Sequence, residues 1–250
     1  MEANTTQGAE SAVAEGTLLP LPLLGVDWTG PAAVGCMAAV VLTIVAEPLF
    51  NRFDLKCLAK TAASTCFLWT ALASASATAG ADGQWSAFAQ VVFASLALGW
   101  LGDVCLLSPG KRAFLVGLVS FLVGHLGFAY AFACLGPPGE FDGTWLAGGC
   151  AVMAPQVALV YAYLRNHLKG FMKYAVVIYM LVISFMLPAG MWAGRGVDTK
   201  QFNLLVGSFI FWMSDLSVAR NAFVSKGPEN AVLGLPLYYA AQLIIASNMF

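Results

Sequence analysis

The chain has 250 residues, 60% of them apolar and only 10% charged, and its mean hydropathy is +0.78. These values exclude a disordered chain, a coiled coil and an ordinary water-soluble domain. Twelve basic and thirteen acidic residues leave a net charge of −1, so there is no basic excess to neutralise nucleic-acid phosphates. What remains is an all-α polytopic membrane protein.

The first 30 residues carry Glu2, Glu10, Glu15 and Asp27 but no Lys or Arg. The apolar run 18–26 is short and holds Pro20 and Pro22. A secretory signal needs a basic start and a longer apolar core. Residues 1–30 are therefore read as an acidic, flexible tail with Trp28 at the membrane interface. Residues 31–250 are read as one transmembrane domain of eight helices. The predicted spans are 31–50, 61–79, 85–107, 113–135, 145–164, 172–193, 202–224 and 231–250. Lipid leaves free backbone groups unsatisfied, so each span should be helical. The second is rich in Ala, Ser and Thr, which suit close helix packing.

The breaks between spans alternate in charge. Arg52, Lys56 and Lys60, then Lys111 and Arg112, then Arg165, Lys169 and Lys173, and finally Arg220 and Lys226 fall on one side. That side holds ten of the twelve bases, with Arg195 and Lys200 the exceptions, and should be cytoplasmic. Six cysteines show no C-x-x-C spacing and read as small buried apolar residues. Cys134 and Cys150 flank one outward loop, but the spacing gives no strong reason to pair them. Two histidines without clustered ligands predict no metal site and no cofactor. There is no phosphate-binding glycine loop and no G-x-S-x-G elbow.

Three carboxylates fall inside spans: Glu47, Asp103 and Asp215. Burying such a charge costs roughly 2.5–3.5 kcal/mol on insertion scales, so each is a functional candidate. Glu47, near the end of the first span, reads as an interfacial group. Asp103 and Asp215 share a local pattern, Trp100-Leu-Gly-Asp and Trp212-Met-Ser-Asp, 112 residues apart. Four spans restore the chain direction, which suggests a parallel duplication of four-helix halves. Two such acids could then face one central cavity. An apolar setting disfavours a charged carboxyl, and two sharing a site divide into a proton donor and a base. Gly117, Ser120, Gly124 and Gly127 form a small-residue seam on the fourth span, with His125 beside it. On residues alone, acid–base hydrolysis and proton-coupled transport both fit, and a structural role for the aspartates stands beside them. Transport is disfavoured by the lack of matching breaks in both halves, since Pro188 interrupts the sixth span only.

Longer motifs add a resemblance. Gly102-Asp103-Val-Cys-Leu-Leu, Gly117 to Gly124-His125, and Phe132 resemble the YhhN family of lysoplasmalogenases. So do Tyr179 with Ser184-Phe185-Met186, Gly207 through Ser214-Asp215-Leu with Asn221 and Phe223, and Tyr238-Tyr239-Ala-Ala-Gln242. Lys60 matches a lysine at the start of the family's second span. Two departures stand out: Phe128 replaces a tyrosine three residues after the histidine, and the proline near Lys60 is absent.

The resemblance implies hydrolysis of the vinyl ether bond of a lysoplasmalogen, giving a fatty aldehyde and glycerophosphoethanolamine or glycerophosphocholine. For that reaction Asp103 and Asp215 are expected to be the catalytic pair, one the general acid and the other an ionised group that supports the oxocarbenium ion and orients the water, with the deeper Asp215 favoured as the acid. His125, Tyr179, Ser214, Asn221, Tyr239 and Gln242 are the expected surrounding or water-positioning groups. Lys60 is expected at the cytoplasmic interface, near the substrate phosphate. The partners implied are a lysophospholipid and membrane lipids, with no nucleic acid. The expected membrane is that of the endoplasmic reticulum in a eukaryote and the inner membrane in a bacterium, with the organelle not fixed by any retention or lipidation signal. Headgroup preference and oligomeric state are not fixed by the sequence. A non-catalytic lipid-binding protein is a third reading, disfavoured by the short loops.

Overall fold

The computed structural model describes residues 23–135, 143–168, 170–193 and 199–250. The described residues form eight α-helices: α1 Pro31–Phe50, α2 Phe53–Ala77, α3 Ala87–Cys105, α4 Lys111–Cys134, α5 Gly143–Leu164, α6 Phe171–Ala193, α7 Thr199–Ala219 and α8 Pro228–Ser247. A π-helical turn, Arg220–Val224, continues α7. Most of the expected acidic tail lies outside the described residues, as do 136–142, 169 and 194–198.

Local chemistry explains the boundaries. Pro31 and Pro228 open α1 and α8 at positions where a missing N–H costs nothing. Ser86 caps α3 by accepting from the Ala89 N–H at 3.1 Å. Asn51, left-handed at φ 51°, ends α1 and turns the chain directly into α2.

Among the described residues, seven helices are long and apolar enough to cross a membrane. The exception is α2, which begins at Phe53, two turns before its expected start. Asp54, Lys56 and Lys60 read as loop because they are charged. In the structure Asp54 lies in the first helical turn, where the N-terminal dipole favours an acid. The polar content of α2 suits its inward face. Ala59, Ala63, Phe67, Ala71 and Ala75, spaced every fourth residue, are buried along one stripe. The neighbours of α2 are α1, α3 and α8.

The seam on α4 is real. A side chain at Gly117 would meet Cys105, Leu106 and the Gly102 carbonyl at 3.2–3.3 Å, and one at Gly124 would meet the Ser95 carbonyl at 3.0 Å. Backbone closeness of this kind locks α4 against α3 and fixes which way His125 faces. The proline expectation needs correction. Pro188 lies inside an unbroken α6, and Pro155 and Pro236 lie inside α5 and α8 in the same way. Neighbouring helices and local adjustment tolerate such prolines in a bundle.

Helix neighbours repeat with a step of four. The pairs α1–α2, α2–α3 and α3–α4 return as α5–α6, α6–α7 and α7–α8. The cross-contacts also correspond: α4 packs on α6 as α8 packs on α2. The match has limits, because α8 also touches α1 and α3. One large apolar core joins α1–α4 with α6–α8, and a smaller one fills the space between α5, α6 and α7.

Candidate active site

Asp103 stands in the last turn of α3, its side chain only 4% exposed. Two helices serve it. From α2, Lys60 Nζ lies 3.0 Å from Oδ1, and Ser64 donates to Oδ2 at 2.6 Å. From α8, the Tyr238 hydroxyl donates to Oδ2 at 3.0 Å and that of Tyr239 at 3.4 Å. Gln242 Nε2 donates to the Tyr238 oxygen at 2.9 Å, which leaves the phenol proton directed at Asp103. Ser64 and Tyr239 also lie 3.0 Å apart. Every partner of this carboxylate offers a proton and none needs one, the environment of an ionised acid.

Lys60 was expected at the interface. The structure instead turns its ammonium inward, because α2 starts early and places Lys60 one turn before Ser64 on the buried face. Only 12% of its side chain is exposed.

Asp215, on α7, has a different neighbourhood. His125 Nε2 of α4 lies 3.3 Å from Asp215 Oδ2, the two side chains being 2% and 8% exposed. His125 Nδ1 is 2.7 Å from the Phe121 carbonyl. The ring is held edge-on by Phe211 at 4.6 Å and Tyr179 at 5.8 Å between centroids.

No described side chain bonds to both aspartates. Between their partner sets stand aromatic rings. Phe211, which touches His125, is 5.4 Å from Tyr238, and Phe121 is 6.0 Å from Tyr238. Gly102 makes room for the Phe121 ring, since a Cβ there would come within 2.6 Å of it. Asp103 is thus served by α2 and α8, while the described polar partner of Asp215 comes from α4, with α6 adding the Tyr179 ring against that histidine.

Two expected residues turn elsewhere. Ser214 donates to the Phe211 carbonyl at 2.7 Å, within its own helix. Asn221 is exposed on the π-helical turn and accepts from Asn230 Nδ2 at 3.2 Å. Glu47 pairs with Lys56 at 2.5 Å at the end of the bundle, as an interfacial group would. Cys134 and Cys150 are both free and exposed. Ser64 and Tyr238 were not singled out for the site, although two signals pointed to them. Ser64 follows Lys60 by four residues, and Tyr238 precedes Gln242 by four. No group of metal-ligating side chains occurs among the described residues.

Residues 55–249 match the YhhN family. A human protein named lysoplasmalogenase TMEM86A is 33% identical over 159 residues, covering 62% of this chain and 63% of the relative. A rat protein named lysoplasmalogenase TMEM86B is 29% identical over 237 residues, covering 92% of this chain and 88% of the relative. A pig protein named lysoplasmalogenase TMEM86B is 31% identical over 150 residues, covering 60% of this chain and 58% of the relative. The human and pig matches therefore take in less than two thirds of those proteins. No solved structure matches the chain significantly.

Proposed function

This chain belongs to the YhhN family, and on that premise we propose that it hydrolyses the vinyl ether bond of lysoplasmalogens within the membrane. The products are a fatty aldehyde and a glycerophospho-base. The observation that carries this reading is Asp215, an acid buried inside a span with a histidine as its one described polar partner. Vinyl ethers resist base and open under acid. A positioned acid that reaches the β-carbon of the enol ether is therefore the chemical requirement. The single-tailed substrate already partitions into the bilayer, and a bundle with little mass outside the membrane takes it from the side.

The two aspartates divide the work. Asp215 delivers the proton. Asp103, ringed by Lys60 and three hydroxyls, stays ionised and contributes negative charge while the oxocarbenium ion exists. Tyr239 and Gln242 keep that carboxylate in place, directly or through Tyr238. In a eukaryotic cell the membrane is that of the endoplasmic reticulum, and in a bacterium the inner membrane. Proton-coupled transport has no support from the named relatives.

The test is to incubate detergent-purified protein with a lysoplasmalogen and with its saturated 1-alkyl analogue. Aldehyde should form from the first only. Absence of aldehyde, with proton-linked flux in liposomes, would replace hydrolysis by the transport reading.

A further inference from the structure

We infer that His125 is the general base of the reaction: it takes a proton from the attacking water and returns it to Asp215. The inference rests on the hydrolytic reading above. It starts from the tautomer. The partner of His125 Nδ1 is the Phe121 carbonyl at 2.7 Å, and a carbonyl only accepts. The ring proton of a neutral His125 is therefore on Nδ1, and the Nε2 lone pair faces Asp215 Oδ2 at 3.3 Å. One proton belongs to that facing pair. It resides either on the carboxyl, beside a neutral imidazole, or on Nε2, beside a carboxylate.

The pair is also left open. Neither His125 Nε2 nor Asp215 Oδ2 makes a hydrogen bond of good geometry, although both atoms are fully buried. Buried polar atoms are rarely left so without a reason. Asp103, its counterpart in the other half, shows the contrast: its carboxylate is saturated with donors. One aspartate is a closed anion, and the other belongs to a pair with bonding capacity to spare. Nε2 thus keeps a lone pair free to accept a proton from the attacking water. The ring has little freedom to turn away. Phe211 and Tyr179 flank it edge-on, the Phe121 carbonyl anchors its far nitrogen, and the Gly124 contact sets the helix that carries it.

The proton accounts then close within two side chains. Asp215 gives its O–H proton to the vinylic β-carbon, a C–H bond forms, and the ether oxygen's lone pair completes the oxocarbenium ion. Water adds through oxygen to the α-carbon. As that C–O bond forms, one water O–H breaks and its proton goes to the Nε2 lone pair. The resulting imidazolium passes the proton to the Asp215 carboxylate beside it, and the pair is back in its starting state. The hemiacetal then loses its hydroxyl proton, the bond to the glycerol oxygen breaks, and that oxygen takes up one proton. No oxidant, metal or further co-reactant is required.

The experiment compares wild type with His125→Gln and His125→Ala. Glutamine keeps a hydrogen-bonding group in place but accepts no proton. Its aldehyde release should fall at least about 100-fold in kcat, in the range for loss of a general base. KM for the lysoplasmalogen and the thermal midpoint should stay near wild type. The alanine variant leaves a ring-sized space, so added imidazole should restore part of its rate, in proportion to the imidazole present. Rescue of this kind is not expected from a residue that only holds the fold. Near-normal kcat in His125→Gln, or loss of activity in both variants with no rescue at any imidazole level, would overturn the assignment while leaving hydrolysis intact. Failure of wild type to release aldehyde would overturn the functional reading itself, and the inference with it.

Discussion

Lys60 and Asp103 form a buried ion pair, 3.0 Å from nitrogen to oxygen, that ties α2 to α3. Removing one partner of such a pair leaves an uncompensated charge. Lys60→Met should therefore destabilise the protein by about 3–5 kcal/mol. Lys56→Met, which breaks the exposed pair with Glu47, should change stability by less than about 1 kcal/mol. Denaturation in detergent, followed by helix content, measures both. The double variant Lys60→Met, Asp103→Leu should recover only part of the loss, because it removes the unpaired charge but takes the carboxylate acceptor from Ser64, Tyr238 and Tyr239.

Asp215→Asn and Asp103→Asn should differ in kind. The first removes the proton donor and should lower aldehyde release by about 100- to 10,000-fold with little effect on folding. The second also disturbs Lys60, Ser64, Tyr238 and Tyr239, and should lower the thermal midpoint as well as the rate. Steady-state kinetics and thermal scans on the same preparations separate the two outcomes. Normal turnover in both variants would remove the aspartates from the mechanism.

Glycine substitutions should split by location. A Cβ at Gly102 would sit 2.6 Å from the Phe121 ring, so Gly102→Ala forces that ring aside, at about 1–3 kcal/mol. Gly148, exposed on α5, has nothing within 4 Å of a new Cβ. Gly148→Ala should stabilise by about 0.5–1 kcal/mol through helix propensity alone. Midpoints of thermal unfolding report the opposite signs. Gly102→Ala should also slow turnover, because the displaced residue carries the carbonyl that anchors His125.

Arg52 and Asp54, at the exposed start of α2, form a two-pronged pair with nitrogen–oxygen distances of 2.8 and 2.5 Å. The Arg52 hydrogen bond holds the Asp54 carboxyl down at about 2, below its usual 3.8. Since the folded value is depressed, the pair's contribution is present above pH 3.8 and fades as the pH falls towards about 2. Both groups are solvated, so the effect on overall stability should be too small to detect. An NMR titration of Asp54 should show the low midpoint, and Arg52→Gln should return it towards the ordinary carboxylate range.

Most of the fold could be read from the residues because the bilayer imposes its own grammar. Apolar runs and the alternation of bases set most helix ends within a few residues of those found, as 31–50 against Pro31–Phe50 illustrates. The start of α2 was missed because its first turns carry charges that read as loop, although they lie on a helix. The aspartates could be read because a buried charge is costly anywhere. Their partners could not, since adjacency of α2 to α8 and of α4 to α7 is decided by packing. Tyr239 was expected at the site and Tyr238 was not, and only the closed bundle brings both hydroxyls onto Asp103. Nor could sequence reveal that Ser214 would be spent on its own helix.

The crossed service of the two acids makes the halves a mutual clasp. A fragment ending after α4 would hold Asp103 without its tyrosines, and one starting at α5 would hold Asp215 without its histidine. Each would expose a docking face shaped for its sibling. Co-expressed fragments have reason to find each other in the bilayer.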